Sequence, residues 1–292
     1  MLPNFLLIGT AKGGTNALHN YLRAHPDVFM PETKELKFFS NEEVWSKGID
    51  WYKGLFPEGH ALRGEGSVQY TMFPNFPDVP QRIQNHIPDA RFIYLMRNPI
   101  DRMRSQYRHL VALEWEHEPI EKALVRDWPS LEPYRRSEQE ALYIHYSMYA
   151  MQLEKYFEIF DRDRFLLLTS ESLQHDRAAT MRKVLSFLGL DPAWTAPVLE
   201  REFHKGADRS TLRNPALQAK IQKIPGYRAL TNVTPQKLKN LLAPVIVRKT
   251  DPGEEAIEIS PAFRSELEDL LRPDVAKLRR YMEADFDGWG FA

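Results

Sequence analysis

The chain has 292 residues, of which 43% are hydrophobic and 27% are charged, an ordinary composition for a globular protein with a sizeable core. Its formal net charge of -1 argues against a nucleic-acid partner held by bulk electrostatics. The sequence contains no cysteine, which excludes disulfides, thiolate metal ligands and cysteine nucleophiles. No run approaches the ~20 apolar residues of a membrane span, and no secretion signal is evident, so we expect a cytoplasmic protein.

The first apolar run, residues 4–9, ends at a glycine and leads into a turn that contains glycines, threonines and one lysine. The run predicts a strand buried on both faces, and Thr15 is expected to cap the helix that follows. Backbone N–H groups of such a turn, with the positive end of a helix, bind phosphate or sulfate. The pattern therefore predicts an anion site, although a tight turn without a ligand has the same appearance.

This turn differs from the P-loop of ATPases and GTPases, G-x-x-x-x-G-K-[ST], in the position of its lysine. Gly9 and Gly14 have the P-loop separation, but Thr15 stands where the P-loop has lysine. The lysine of the turn is Lys12, inside the loop. The arrangement argues against an ordinary ATPase or GTPase.

Two phenylalanines stand beside several charges in the segment 31–39, Pro-Glu-Thr-Lys-Glu-Leu-Lys-Phe-Phe. We expect Phe38 and Phe39 to anchor the segment in the core while Lys34, Glu35 and Lys37 face a cleft. A solvated surface loop with an apolar anchor has the same composition, and the residues alone leave that alternative open.

The clearest strand pattern, residues 91–96, runs directly into Arg97 and then into a helix that carries Ser105. Ligands of open parallel sheets lie at the carboxyl ends of the strands, so Arg97 and the turn around Lys12 are expected to face one cleft. Arginine suits bidentate phosphate binding, and Ser105 would add a hydroxyl donor. A surface ion pair between Arg97 and Asp101 is the alternative.

Strand and helix patterns continue to alternate along the chain. Further strands are predicted over 61–67 and 164–169, and helices over 79–87, 141–160, 178–188 and 263–282. Such alternation predicts an α/β fold with a mostly parallel sheet. We predict a single domain over 1–292, with an irregular excursion at about 113–140 and a helical insertion at about 222–260.

A polar, basic segment at 203–215 is rich in hydrogen-bond donors. A loop with Lys205, Arg209 and Arg213 can close over a nucleotide phosphate, and Gly206 lies beside the lysine. A solvated loop is the alternative. The nine histidines are scattered without an H-x-x-x-H pair, so no metal site is predicted.

Together, these motifs resemble those of the sulfotransferases that use 3′-phosphoadenosine 5′-phosphosulfate (PAPS), particularly the heparan-sulfate-type and bacterial members. Residues 9–18 are similar to that family's 5′-phosphosulfate loop, lysine included. Residues 91–105 resemble its 3′-phosphate element, and residues 34–39 resemble the segment that carries the catalytic glutamate in the heparan-sulfate-type enzymes. The resemblance covers most of the chain and implies a three-layer α/β/α fold, related to that of P-loop NTPases, around a mostly parallel sheet.

The resemblance also implies the reaction, which is transfer of a sulfuryl group from PAPS to an acceptor hydroxyl without a metal. Lys12 would stabilise the leaving group, and Glu35 would take the acceptor proton. Lys37 and Lys34 would orient the acceptor or the sulfonate. The product nucleotide would be adenosine 3′,5′-bisphosphate (PAP).

The nucleotide-binding residues follow from the same resemblance. The 5′-phosphate would be held by the turn and the first helical residues, Gly13, Gly14, Thr15 and Asn16. Arg97 and Ser105 would hold the 3′-phosphate, which distinguishes PAPS from ATP. Lys205, Gly206 and Arg209 would close over the bound nucleotide.

Two residues depart from the glycosaminoglycan members of the family. The loop 64–67 (Gly-Glu-Gly-Ser) has glycine where many of them have a second lysine, and Lys37 stands where they often have histidine. A heparan acceptor is therefore not favoured, and the missing membrane anchor favours a bacterial-type enzyme. The acceptor stays open among small-molecule, lipid, polyketide-like and carbohydrate hydroxyls, as does the oligomeric state. A P-loop-type kinase and a non-catalytic nucleotide-binding module are the alternative functions.

Overall fold

The computed structural model describes residues 1–126, 142–201 and 257–291, together with two short strands at 211–212 and 247–248. In chain order the strands are β1 (Phe5–Gly9), β2 (Val28–Phe29), β3 (Leu62–Gly66), β4 (Arg91–Met96), β5 (Phe165–Thr169), β6 (Thr211–Leu212) and β7 (Val247–Arg248). The first five form one sheet in the order β2-β3-β1-β4-β5, and every pairing in it is parallel. Strands β6 and β7 pair antiparallel. The predicted α/β class and parallel sheet are confirmed.

The helices of the described residues surround the sheet. They are α1 (Thr15–Arg23), α2 (Glu42–Trp45), α3 (Gly48–Lys53), α4 (Val79–His86), α5 (Pro99–Ala112), α6 (Ile120–Val125), α7 (Tyr149–Phe157), α8 (Ser170–His175), α9 (Arg177–Leu188) and α10 (Pro261–Leu278). None of them is both long and apolar enough to cross a membrane.

Successive residues of β1 face opposite sides of the sheet, and helices bury both sides. Leu6 and Ile8 share a core with α4 and α7, whereas Phe5 and Leu7 share one with α1 and α9. Burial on both faces explains why this strand is a continuous apolar run without polar alternation. The three-layer α/β/α arrangement is therefore confirmed.

The strand order reverses between β1 and β4, because β2 and β3 lie on one side of β1 and β4 and β5 lie on the other. The chain leaves β1 through α1 on one face of the sheet and reaches β4 from α4 on the opposite face. A crevice at the carboxyl ends of two such strands is where open α/β sheets bind their ligands. The turn after β1 and the residues after β4 flank this crevice.

The predicted helix over 141–160 is wrong in its first half. A single 3-10 turn, His145–Ser147, precedes α7, which begins only at Tyr149. The Asp274 carboxylate, on α10, accepts the N–H groups of Ala150 and Met151 at 3.0 and 2.9 Å and so caps α7. A cap supplied by a distant helix leaves no local trace in the sequence.

The two irregular stretches are described only in part. Residues 113–126 of the predicted excursion include α6, so this portion is partly helical. Residues 127–140 and most of the predicted insertion at 222–260 lie outside the described residues.

Candidate active site

The turn between β1 and α1 is folded tightly against the end of β4. The Thr10 N–H donates to the Leu95 carbonyl at 2.7 Å, and the Gly13 N–H donates to the Thr10 carbonyl at 3.0 Å. A Cβ on Gly13 would lie 2.5 Å from the Leu95 carbonyl oxygen, so glycine alone fits there. Gly14, with φ of 88°, then leads into a nine-residue helix. The first N–H groups of a helix have no partner within it and suit an anion.

Thr15 does not cap α1, so that prediction is wrong. Gly14 occupies the N-cap position without a side-chain cap, and Thr15 is the first helical residue. The Thr15 hydroxyl instead accepts a hydrogen bond from the Lys34 ammonium at 2.8 Å. The prediction is wrong because the hydroxyl is bound by a side chain of the segment 31–39, a tertiary contact.

Lys34 joins the turn to the segment 31–39. Its Nζ lies 2.8 Å from Thr15 Oγ1, 2.7 Å from Asn16 Oδ1 and 3.1 Å from Glu35 Oε1. Burial lowers the pKa of Lys34, and the adjacent Glu35 carboxylate opposes this effect. One ammonium therefore connects the first turn of α1 with the carboxylate that the family resemblance implies as the base.

Glu35 is held through both its backbone and its side chain. Its N–H donates to the Gly66 carbonyl at 2.9 Å, and the Val68 N–H donates to its Oε2 at 2.9 Å. Glu35 and Lys37 have φ values of 63° and 56°, in the left-handed region that residues with side chains rarely adopt. Backbone strain of this kind is concentrated at functional sites.

The two phenylalanines that follow anchor the segment as predicted. Phe38 and Phe39 are fully buried, and the ring of Phe38 stacks on that of Tyr52 at a centroid distance of 4.2 Å. Lys34 and Glu35, in contrast, keep 15% and 28% of their side chains exposed. The segment is thus an anchored loop with partly accessible charges.

A buried carboxyl group at the end of β3, Glu65, braces this segment. The hydroxyls of Ser67, Tyr52 and Tyr70 donate to it, the two tyrosines at 3.0 and 2.8 Å. Ser67 also accepts the Lys37 N–H at 2.9 Å. Burial raises the pKa of Glu65 to about 7, against the opposite effect of its three hydroxyl donors. Sequence reasoning missed this residue, although a glutamate within a predicted strand was an available signal.

Arg97 lies at the carboxyl end of β4, next to the turn, as expected. Its Nη1 is 3.5 Å from the Lys12 carbonyl oxygen, and the Tyr149 hydroxyl donates to its backbone carbonyl at 2.7 Å. Asp101 pairs with Arg104 at 3.5 Å, so in the described residues the alternative partner of Arg97 is engaged elsewhere. Ser105 lies further along α5 and is half-buried.

Glu171 and Trp289, which the sequence did not indicate as part of this site, hold Asn98, the residue after Arg97. The Asn98 N–H donates to Glu171 Oε1 at 2.9 Å, and the Trp289 indole N–H donates to Glu171 Oε2 at 3.2 Å. Glu171 follows β5, and Trp289 lies near the end of the chain. The start of α5 is therefore fixed by elements that are distant in sequence.

The structure brings the turn, Glu35, Lys37 and Arg97 to one edge of the sheet. The remaining predicted residues, Lys205, Gly206 and Arg209, lie outside the described residues. Across residues 1–126, 142–201 and 257–291, no three histidine, aspartate or glutamate side chains come together as a metal site.

The chain is similar to known proteins at the level of family, sequence and structure. A family model described as "Sulfotransferase domain" matches residues 2–221. Heparan sulfate glucosamine 3-O-sulfotransferase 6 of Mus musculus is 30% identical over 203 residues, which cover 64% of this chain and 52% of that protein. Bifunctional heparan sulfate N-deacetylase/N-sulfotransferase 2 of Bos taurus is 31% identical over 203 residues, which cover 65% of this chain and 22% of that protein. The chain thus matches about half, or less, of the length of these relatives.

A solved structure, that of a sulfotransferase from Alicyclobacillus acidocaldarius, resembles the whole fold. The two share a TM-score of 0.69 and 25% sequence identity, and the match covers 99% of both chains. The family match spans the turn between β1 and α1, the segment 31–39 and Arg97. On this evidence the chain belongs to the sulfotransferase family.

Proposed function

We propose that the protein transfers a sulfuryl group from PAPS to the hydroxyl of an acceptor, with Glu35 as the general base. Family membership supports sulfotransfer in general. The observation that carries the finer proposal is the bridge made by Lys34, whose ammonium binds both the first turn of α1 and the Glu35 carboxylate. A base and an anion site that share one hydrogen-bond donor are suitably close for group transfer.

The anion-binding turn suits the phosphosulfate end of the donor. Gly13, Gly14, Thr15 and Asn16 would hold the 5′-phosphate, because they combine a close backbone approach with the amino-terminal end of α1. Lys12 would neutralise the negative charge that develops on the oxygen bridging phosphorus and sulfur. Fixed charge stabilisation of this kind supplies much of the rate in phosphoryl and related transfers.

The opposite end of the nucleotide would lie at β4. Arg97 would bind the 3′-phosphate, since a guanidinium can donate two parallel hydrogen bonds, and Ser105 would add a hydroxyl. The position of Arg97 beside the Lys12 carbonyl supports one continuous anion site. Lys205, Gly206 and Arg209 would close over the nucleotide.

In the proposed step, Glu35 takes the proton of the acceptor hydroxyl as the acceptor oxygen bonds to sulfur. The bond between sulfur and the bridging oxygen breaks, and PAP leaves with that oxygen. Lys37 would orient the acceptor or the sulfonate. General-base catalysis of this kind is worth ~100- to 10,000-fold in rate.

We infer that the acceptor is a small-molecule, lipid, polyketide-like or carbohydrate alcohol. The two mammalian relatives are named for action on heparan sulfate, but the glycine-containing loop 64–67 and Lys37 depart from the pattern of such enzymes. An acceptor panel that contains heparan-type oligosaccharides beside apolar alcohols separates these classes. Exclusive labelling of the heparan-type oligosaccharides would contradict the inference that these two departures disfavour a heparan acceptor.

A transfer assay with ³⁵S-labelled PAPS tests the function itself. Wild-type protein should label at least one hydroxyl acceptor, and Lys12→Met should lower the rate ~100- to 1,000-fold, as expected when one charge-stabilising group is lost. Lys53→Met removes a lysine that is 46% exposed and should leave the rate unchanged. PAP binding without transfer to any acceptor would favour a non-catalytic module, and transfer of phosphate from ATP would favour a kinase.

A further inference from the structure

The ammonium of Lys34 has three protons and three acceptors within reach. The acceptors are Thr15 Oγ1 at 2.8 Å, Asn16 Oδ1 at 2.7 Å and Glu35 Oε1 at 3.1 Å. A lysine ammonium can only donate, so each of these oxygens acts as an acceptor towards Lys34. Thr15 and Asn16, which are proposed to hold the nucleotide, can therefore act only as hydrogen-bond acceptors towards Lys34.

The groups of Thr15 and Asn16 that can donate hydrogen bonds therefore point away from Lys34. The Thr15 oxygen accepts a hydrogen bond from the ammonium, so its hydroxyl proton must point in another direction. The Asn16 oxygen faces the ammonium, so its amide NH₂, on the other side of the same carbon, faces away. Both residues belong to the first turn of α1, whose backbone N–H groups also suit an anion.

We infer that Lys34 is a positioning residue for the donor site, which fixes Thr15 and Asn16 so that both present hydrogen-bond donors to the anionic nucleotide. The inference rests on the proposed function, since it takes PAP or PAPS as the ligand of the turn. It differs from the expectation that Lys34 orients the acceptor, because the observed partners of its ammonium include two residues of α1.

The surroundings of Lys34 keep its ammonium in this place. A Cβ on Gly66 would lie 3.5 Å from Lys34 Cε, so the lysine stem runs across the face of this glycine. The side chain is only 15% exposed, which limits alternative rotamers. The Glu35 carboxylate offsets part of the cost of burying the charge. The same contact ties the orientation of Glu35 to that of the donor site.

A double-mutant cycle in PAP binding, measured by isothermal titration calorimetry, tests the inference. Lys34→Met should weaken PAP binding by about tenfold or more, the scale of charge-assisted hydrogen bonds. If Lys34 acts through the Thr15 hydroxyl, Lys34→Met should cause a smaller loss of PAP affinity in a Thr15→Val background. The fold-loss there should be at least about threefold smaller than in the wild-type background. Lys53→Met, which removes an exposed lysine, is the matched control and should bind PAP as wild type does.

Equal losses in the two backgrounds, or no loss on Lys34→Met, would overturn the inference alone. Equal losses are expected if Lys34 contacts the nucleotide directly or if the freed Glu35 carboxylate repels it. A wild-type protein that does not bind PAP would overturn the proposed donor and this inference with it. Thermal melts establish folding of each variant, and Lys34→Gln repeats the cycle if the methionine variant is unfolded.

Discussion

The Glu35 carboxylate is oriented by groups of the protein itself. The Lys34 ammonium binds one of its oxygens, and the Val68 N–H binds the other. Its own N–H is fixed by the Gly66 carbonyl. As the proposed base, a carboxylate held in this way would lose little freedom in the reaction, which is the condition under which general-base catalysis is efficient.

Glu35→Gln should therefore lower the transfer rate while preserving nucleotide binding. The amide has nearly the same shape but cannot take the acceptor proton, so we expect a loss of ~100- to 10,000-fold in kcat. Calorimetric titration with PAP should give a Kd within about twofold of wild type, because in the proposed site the phosphates contact other residues. Glu43→Gln, at an exposed position of α2, is the matched control. A variant with a near-wild-type rate would show that another residue is the base.

At the scale of elements, Glu65 couples the end of β3 to the segment 31–39. Ser67 donates to Glu65 and accepts the Lys37 N–H, and Tyr70 donates to the same carboxyl group. Glu35 and Lys37 both have left-handed backbone conformations, which need support from surrounding hydrogen bonds. The buried network provides that support.

Glu65→Gln should change the dependence of stability on pH. The folded protein binds the Glu65 proton with a pKa of about 7, whereas the unfolded chain releases it near the ordinary value of 4.5. The folded state therefore holds more protons over this range, and the contribution of Glu65 to the free energy of unfolding falls as pH rises from 4.5 towards 7. The fall is on the order of 3 kcal/mol. The glutamine variant should lack it.

Urea unfolding at about pH 5 and about pH 8 measures this difference in the free energy of unfolding. His19, whose pKa burial lowers to about 4, contributes in the opposite sense, but it is present in both proteins. Glu43→Gln should follow the wild-type pH dependence. Identical pH dependence of wild type and Glu65→Gln would contradict the assignment.

The order of strands and helices was predictable because it depends on local patterns. The apolar run of β1, the strand before Arg97 and the buried pair Phe38–Phe39 all follow from residues that are neighbours in sequence. The hydrogen bonds of Lys34 were not predictable, since they join residues 18 and 19 positions apart through the folded sheet. The late start of α7 likewise depends on Asp274, more than 120 positions away.

At the scale of the whole molecule, the crevice between β1 and β4 unites two cationic elements from separate parts of the chain. Lys12 follows β1 and Arg97 follows β4, and the Arg97 guanidinium lies 3.5 Å from the Lys12 carbonyl oxygen. The Tyr149 hydroxyl binds the Arg97 carbonyl, and Glu171, which accepts from the Trp289 indole, binds the N–H of the next residue, Asn98. The proposed recognition of both ends of one nucleotide depends on this convergence.

Calorimetric titration of wild type and Arg97→Ala with PAP, adenosine 5′-monophosphate and ATP–Mg²⁺ tests the proposed donor most directly. Wild type should prefer PAP to the monophosphate by about 10- to 100-fold, the scale of charge-assisted hydrogen bonds to the 3′-phosphate. Arg97→Ala should lose most of that preference, whereas Arg264→Ala, which removes a 47% exposed side chain, should retain it. Tighter binding of ATP–Mg²⁺ than of PAP to the wild-type protein would contradict the account.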